Sequence, residues 1–186
     1  LNSKSKIIDI GCGRGKILGA LNSKLKLKSK PLGIDIRNHK DKDKRIKFKK
    51  INALTFFLKN RSKFDLILIK QTIHLLDLRG IKKLLKLSKK NLSKNGKILI
   101  FALDTNNNEL PSFELMKMKL TKSLKRDKKI FRLIAKLYSH KKSKFIFKVI
   151  IIKKKYLDMI QKRYISTLLP FTKQELQKGI KEIDRK

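Results

Sequence analysis

The residues best equipped for chemistry gather near the start of the chain. Asp9 is followed by Gly11, Gly13 and Gly15 at alternate positions, with Cys12 and Arg14 between them. Asp9 interrupts the apolar run Ile7, Ile8, Ile10, which reads as a buried strand. Glycines at this spacing tolerate positive φ and let backbone amides approach a ligand with no side chain in the way. Lys16 to Leu25 then reads as a helix. Strand, glycine turn and helix together predict a site for a nucleotide-like ligand. Asp35, 20 residues after Gly15, closes a second short strand, Pro31 to Ile36. A carboxylate there can accept two hydrogen bonds from ribose hydroxyls. Cys12 is read as a small residue filling a tight turn, because no histidine lies near it in sequence to activate a thiol. Arg14 is either a solvated turn residue or a group that steers a carboxylate.

Holding these groups together requires a sheet. Phe48 to Ala53 reads as a third, weak strand, preceded by a charged stretch, Arg37 to Lys50, expected to be a loop with a short helix. Leu54 to Asn60 is an apolar-faced helix. Phe64 to Ile69 is continuously apolar, as a central parallel strand covered on both faces must be. Gln71, Thr72, His74 and Asp77 follow at its C-terminal end, the end where open α/β sheets bind ligands. Ile81 to Asn91 has helical periodicity, Asn95-Gly96 reads as a turn, and Lys97 to Leu103 reads as a fifth strand. The alternation predicts an α/β, Rossmann-like, doubly wound and mostly parallel sheet.

Length and composition bound the answer. The 186 residues suit a single domain, and the 40% hydrophobic content supports a core. The 51 basic residues far outnumber the 14 acidic ones, for a net charge of +37. Nucleic acid or an anionic membrane is one reading of that charge. The compositional reading is the favoured one. Lysines outnumber arginines 42 to 9 and spread along the whole chain, as A/T-rich coding would produce. A single cysteine excludes a disulfide within the chain and points to a reducing cytoplasm. No apolar run reaches the roughly 20 residues of a bilayer span, and no metal site is expected.

Asp9-Ile-Gly-Cys-Gly-Arg-Gly15, Gly33-Ile-Asp35, Asn52-Ala53 and Phe64-Asp-Leu-Ile-Leu-Ile-Lys-Gln-Thr-Ile-His74 occur in this order, each at a strand end. In these motifs, over about residues 6 to 104, the chain resembles the class I S-adenosylmethionine-dependent methyltransferases. The closest type is the small-molecule one that includes the ubiquinone and menaquinone C-methyltransferases. A nicotinamide dinucleotide domain fits less well. Its third glycine would fall where Lys16 stands, and Asp9 would repel a pyrophosphate. The same acid suits the ammonium and sulfonium of S-adenosylmethionine.

The resemblance implies roles. Asp9, Gly11, Cys12, Gly13 and Gly15 hold the methionine end of the cofactor. Asp35 holds the ribose and Ile36 packs on the adenine. Asn52, beside Ala53, stands where the family often has an aspartate reading the adenine amino group, and an amide oxygen can accept that bond too. Lys70 and Gln71 line the donor methyl. His74 orients the acceptor, acts as a base, or merely caps the next helix. The expected function is methyl transfer to a small-molecule acceptor. The alternatives are an RNA or protein methyltransferase, or a degenerate cofactor-binding subunit.

Residues 105–186 are expected to form the lid and substrate side, after a cofactor-binding half over residues 1–104. Leu110 to Lys142 fits one or two amphipathic helices, Phe145 to Ile152 a strand, and Tyr156 to Ser166 a helix running into a turn. Thr172-Lys-Gln-Glu175 reads as a capping box for a last helix. Arg163 and Tyr164 are candidates to approach substrate. The family sheet has seven strands. The start at Leu1 and the end at Lys186, before a final hairpin, are expected of a fragment with C-terminal strands missing.

Overall fold

The computed structural model describes residues 1–103, 111–146 and 148–185. The expected division at residues 104 and 105, Leu110 at the head of the expected helical stretch, and Phe147 within the expected strand lie outside them. The chain forms two compact units, Leu1–Leu103 and Asp104–Lys186.

The first unit runs β1 (Ile7–Ile10), α1 (Lys16–Leu25), β2 (Leu32–Asp35), β3 (Lys47–Lys50), α2 (Ala53–Lys59), β4 (Phe64–Lys70), a 3₁₀ turn (Ile73–Leu75), α3 (Leu78–Lys90) and β5 (Leu92–Phe101). The strands order as β3-β2-β1-β4-β5, and every neighbouring pair is parallel. This is the expected Rossmann-like doubly wound α/β sheet. Its central strands are the apolar ones. Ile8, Ile67 and Ile69 are fully buried, because a strand covered by helices on both faces has no solvent side. β3, Lys-Phe-Lys-Lys, is an edge strand, and only Phe48 turns inward, toward Ile7, Leu18, Ile46 and Leu66. α3 buries Ile81, Leu84, Leu85 and Ser88, one stripe at helical spacing.

Three expectations change. Residues 37–46 contain no helix. Asp43 and Arg45 bind each other there, and the Asp43 amide donates to the Arg14 carbonyl, which folds the segment onto α1. Asn95-Gly96 is not a turn before the fifth strand but lies inside β5. The register jumps there, from Phe64 opposite Leu92 to Leu66 opposite Lys97. Gly96 makes this bulge possible, since a Cβ would stand 2.6 Å from the Phe64 carbonyl oxygen. Finally, residues 145, 146 and 148–152 form no strand. Phe145, Ile146, Val149, Ile150 and Ile152 are exposed. β-favouring residues make a strand only where a neighbour completes the ladder, and among the described residues none does.

The second unit holds α4 (Glu114–Leu137), α5 (Lys153–Gln161), a 3₁₀ turn (Ser166–Leu168) and α6 (Lys173–Asp184). The stretch expected to give one or two helices gives one. Its core collects Phe113, Met116, Ile160, Leu168, Phe171 and Leu176. Thr172 and Glu175 form both bonds of the expected capping box. Among the described residues, no helix is long and apolar enough to cross a membrane.

Candidate functional site

β1 sits between β2 and β4, so the chain leaves it in one direction first and returns on the other side. That reversal opens a crevice at the carboxyl ends of β1 and β4, and the glycine turn occupies it. Gly11 has φ +68°, and a Cβ on it would lie 2.3 Å from Thr72 Oγ1. Any other residue would therefore be strained and would collide with the turn after β4. Gly15 caps α1 at φ +71°, with its missing Cβ 2.2 Å from Ile46 Cδ1. Gly13 differs: no atom lies within 4 Å of where a Cβ would stand. The turn is packed at both ends and open in the middle.

Asp9 lies under this turn. It is 4% exposed, and its Oδ1 accepts no hydrogen bond. Burial, countered by the Lys70 ammonium and reinforced by Asp35, raises its pKa to about 7. A buried carboxylate oxygen without a donor is costly unless a ligand supplies one. Asp35, at the end of β2, accepts from the Gly13 amide at 2.8 Å and the Arg37 amide at 2.9 Å. It thereby ties the open middle of the glycine turn to the neighbouring strand. Cys12 is half-buried, and its Sγ fills the space a Gly33 side chain would take. Burial and the nearby Asp9 and Asp35 carboxylates push its pKa up to about 12, so the thiol is protonated near neutrality and is a poor nucleophile.

The other expected residues spread along the same edge. Ile36 is 62% exposed, just past β2. Asn52 follows β3 and caps α2. Its Oδ1 accepts from the Leu54 amide at 2.8 Å, so the oxygen expected to read an adenine already serves the helix. Ala53 is the first residue of α2. Lys70 ends β4. Gln71 follows at φ +53°, held by its amide to the Phe101 carbonyl at 3.0 Å. His74 lies in the 3₁₀ turn after them, half-buried, and it does not cap α3, since Asp77 does. Arg14 is exposed and pairs with Asp41 at 2.9 Å. In the second unit, Arg163 donates to the Phe171 carbonyl at 2.8 Å, and the Tyr164 hydroxyl meets that of Tyr156 at 3.5 Å.

Two contributors escaped the sequence reading. Thr72 abuts Gly11, and its hydroxyl donates to the Lys70 carbonyl at 2.9 Å. Its position after an apolar strand was visible, but its contact with a turn 61 residues earlier was not. The Asp43–Arg45 pair braces α1, where the missing Cβ of Gly19 leaves room for the Asp43 carboxylate. Within a run of alternating Lys and Asp, nothing marks that pair out.

A family model described as a methyltransferase domain matches residues 1–164. The chain belongs to this methyltransferase domain family. Among curated proteins, none matches it. A crystal structure of a putative methyltransferase from an antibiotic biosynthesis pathway of Anabaena variabilis is similar with a TM-score of 0.74. Identity is 15%, over 100% of this chain and 80% of that one. The plantazolicin methyltransferase BamL, crystallised with a triazolic desmethylPZN analog and SAH, is similar with a TM-score of 0.53 at 20% identity, over 71% of this chain and 54% of that one. A SAM-dependent methyltransferase from Archaeoglobus fulgidus is similar with a TM-score of 0.47 at 23% identity, over 52% of this chain and 44% of that one. The chain thus spans about half the length of the latter two. The Anabaena variabilis and BamL likenesses bear out the sheet, and the family match bears out the methyltransferase class. Neither carries the quinone C-methyltransferase subtype.

Proposed function

We propose that the chain binds S-adenosylmethionine at the glycine turn and transfers its methyl to a small-molecule acceptor. One observation carries this reading: a buried carboxylate oxygen, Asp9 Oδ1, has no donor among the described residues, in the strand that leads into a turn open at Gly13. The donor set fits the cofactor. Asp9 would take its ammonium, Asp35 its ribose hydroxyls, and the exposed Ile36 its adenine. Ala53 and Asn52 would lie at the adenine edge, with the Asn52 amide nitrogen as donor because its oxygen caps α2. When bound, the cofactor supplies a methyl on sulfonium, open to direct displacement.

The protein's own work is positioning and exclusion of water. Gly11 and Gly15 fix the turn, Cys12 fills it without reacting, and Lys70 and Gln71 line the donor end. His74 would orient the acceptor or take a proton from it at a ring nitrogen. The small-molecule acceptor, and the resemblance to quinone C-methyltransferases, rest on the four motifs and on the antibiotic-pathway description of the Anabaena variabilis structure. A cytoplasmic setting rests on the lone cysteine, and the acceptor-selecting role of residues 105–186 on the family resemblance.

Calorimetric titration with the demethylated product, S-adenosylhomocysteine, tests the cofactor reading. Saturable binding that falls markedly in Asp35→Ala supports it, and absence of heat overturns it. Transfer of labelled methyl to phenolic quinone precursors, but not to RNA or protein, tests the acceptor.

A further inference from the structure

We infer that the outer face of α3 is a docking surface for the phosphate backbone of a nucleic acid. Seven residues of α3 are exposed, and six of them are cations: Arg79, Lys82, Lys83, Lys86, Lys89 and Lys90. They fall at spacings of three and four, so they line one face for about 17 Å at 1.5 Å per residue. That is the reach of about five nucleotides at 3.4 Å each.

Among the described residues of the first unit, no carboxylate pairs with this face. Residues 1–103 hold six carboxylates, and each is used elsewhere. Asp9 is buried, and Asp35 accepts from the Gly13 and Arg37 amides. Asp41 pairs with Arg14 and Asp43 with Arg45. Asp65 binds Ser93 and the Lys6 amide, and Asp77 caps α3 through the Gly80 amide. The cationic tract continues past the helix. Lys63 donates to the Lys90 carbonyl, and Asn60 bonds Asn91 at 2.7 Å. These bonds bring the end of α2 beside the end of α3. There a cleft of about 250 Å³ is lined by Lys49, Lys59 and Arg61, with Phe56, Ile51 and Asn60.

Lysine-rich coding does not account for this face by itself. α6 belongs to the same chain and keeps three acids, Glu175, Glu182 and Asp184, against three lysines, Lys173, Lys178 and Lys181. α6 arose under the same coding bias and kept its acids, so that bias alone does not clear acids from α3. Six like charges at i, i+3 and i+4 repel one another and weaken the helix. A bound polyanion removes that repulsion and gains from counterion release. A membrane fits less well, because the apolar stripe of α3 is buried in the core and the exposed face offers a single apolar side chain, Leu78 at its N-terminal end.

The test is fluorescence anisotropy with a short labelled RNA, and with DNA of the same sequence, across a salt series. Two variants carry equal charge loss: Arg79, Lys82, Lys83 and Lys86 all to Gln, and the exposed Lys4, Lys24, Lys28 and Lys40 all to Gln. The α3 variant should lose at least about tenfold in affinity at 0.1 M salt and flatten the salt slope by up to about three. The control should stay within about threefold of the unchanged protein. Relief of repulsion should leave the α3 variant melting at or above the parent temperature, so a folding failure cannot mimic the result. Whichever nucleic acid binds tighter is the partner. Equal loss in both variants overturns the inference in favour of net charge, as does binding to anionic phosphatidylserine vesicles without binding to either nucleic acid.

Discussion

Asp9 and Asp43 are both buried aspartates of the first unit, 4% and 7% exposed, and their surroundings are opposite. Asp43 is gripped by Arg45 through two side-chain bonds, at 2.9 and 2.7 Å, and by the Arg45 amide at 3.0 Å. Those bonds hold its pKa well below the usual carboxylate range. Asp9 is covered as well but has a bare oxygen, and the desolvation imposed by deeper burial raises its pKa to about 7. One carboxylate is satisfied within the chain and serves the fold. The other is left for something that comes from outside. Burial alone does not distinguish a structural acid from a binding one. The inventory of donors around it does.

The largest expected effect breaks the comparison if it fails. Asp9→Asn should lower affinity for S-adenosylhomocysteine by at least about 2 kcal/mol, roughly thirtyfold, because the ligand's ammonium loses its buried counter-charge. The same change should raise the melting temperature of the ligand-free protein at pH 8. The folded pKa of Asp9 lies above its unfolded value, so its contribution is complete below about pH 4 and fades as pH rises through about 7. Ligand binding should also release protons near pH 7, readable as a buffer dependence of the calorimetric heat. Unchanged affinity in Asp9→Asn would show that the bare oxygen is not the ligand's anchor.

Asp43→Asn should behave in the reverse way. It leaves the Arg45 guanidinium without its carboxylate, and the melting temperature should fall by roughly 5 °C or more. Ligand affinity, measured well below that transition, should stay near that of the parent. The contribution of Asp43 is present above about pH 4 and is lost as acid protonates it, the opposite slope to Asp9.

Gly11→Ala tests how tightly the crevice is built. A Cβ at φ +68° facing Thr72 should cost about 1–3 kcal/mol in chemical denaturation. Adding Thr72→Ala should recover part of that loss. The smallest effect belongs to the other unit. Thr172→Ala removes one arm of the α6 capping box and should cost about 1 kcal/mol, with no change in ligand affinity.

Much of the first unit was legible because its strands announce themselves. A continuous apolar run such as Phe64 to Ile69 has few alternatives to a buried strand, and a glycine turn after such a run has few to a ligand turn. The capping box at Thr172 was equally local. Elements that depend on distant partners were misread. Asn95-Gly96 looks like a turn until the Phe64 carbonyl is seen against it. Phe145 to Ile152 looks like a strand, but among the described residues no strand pairs with 145, 146 or 148–152.

The sequence by itself determined which chemical groups stand at which strand ends: an acid before three glycines, a second acid 20 residues on, and an amide, a lysine and a histidine beyond. Periodicity and spacing are properties of neighbours along the chain, so they survive in the bare sequence. Only the tertiary structure decided which of those groups are already satisfied. Asp43, a residue within a polar loop, became a buried brace because Arg45 and α1 closed on it. Asp9 kept an empty lone pair because no donor among the described residues reaches it. Hydrogen-bond satisfaction depends on atoms brought together across the sheet, and that is information the linear order does not hold.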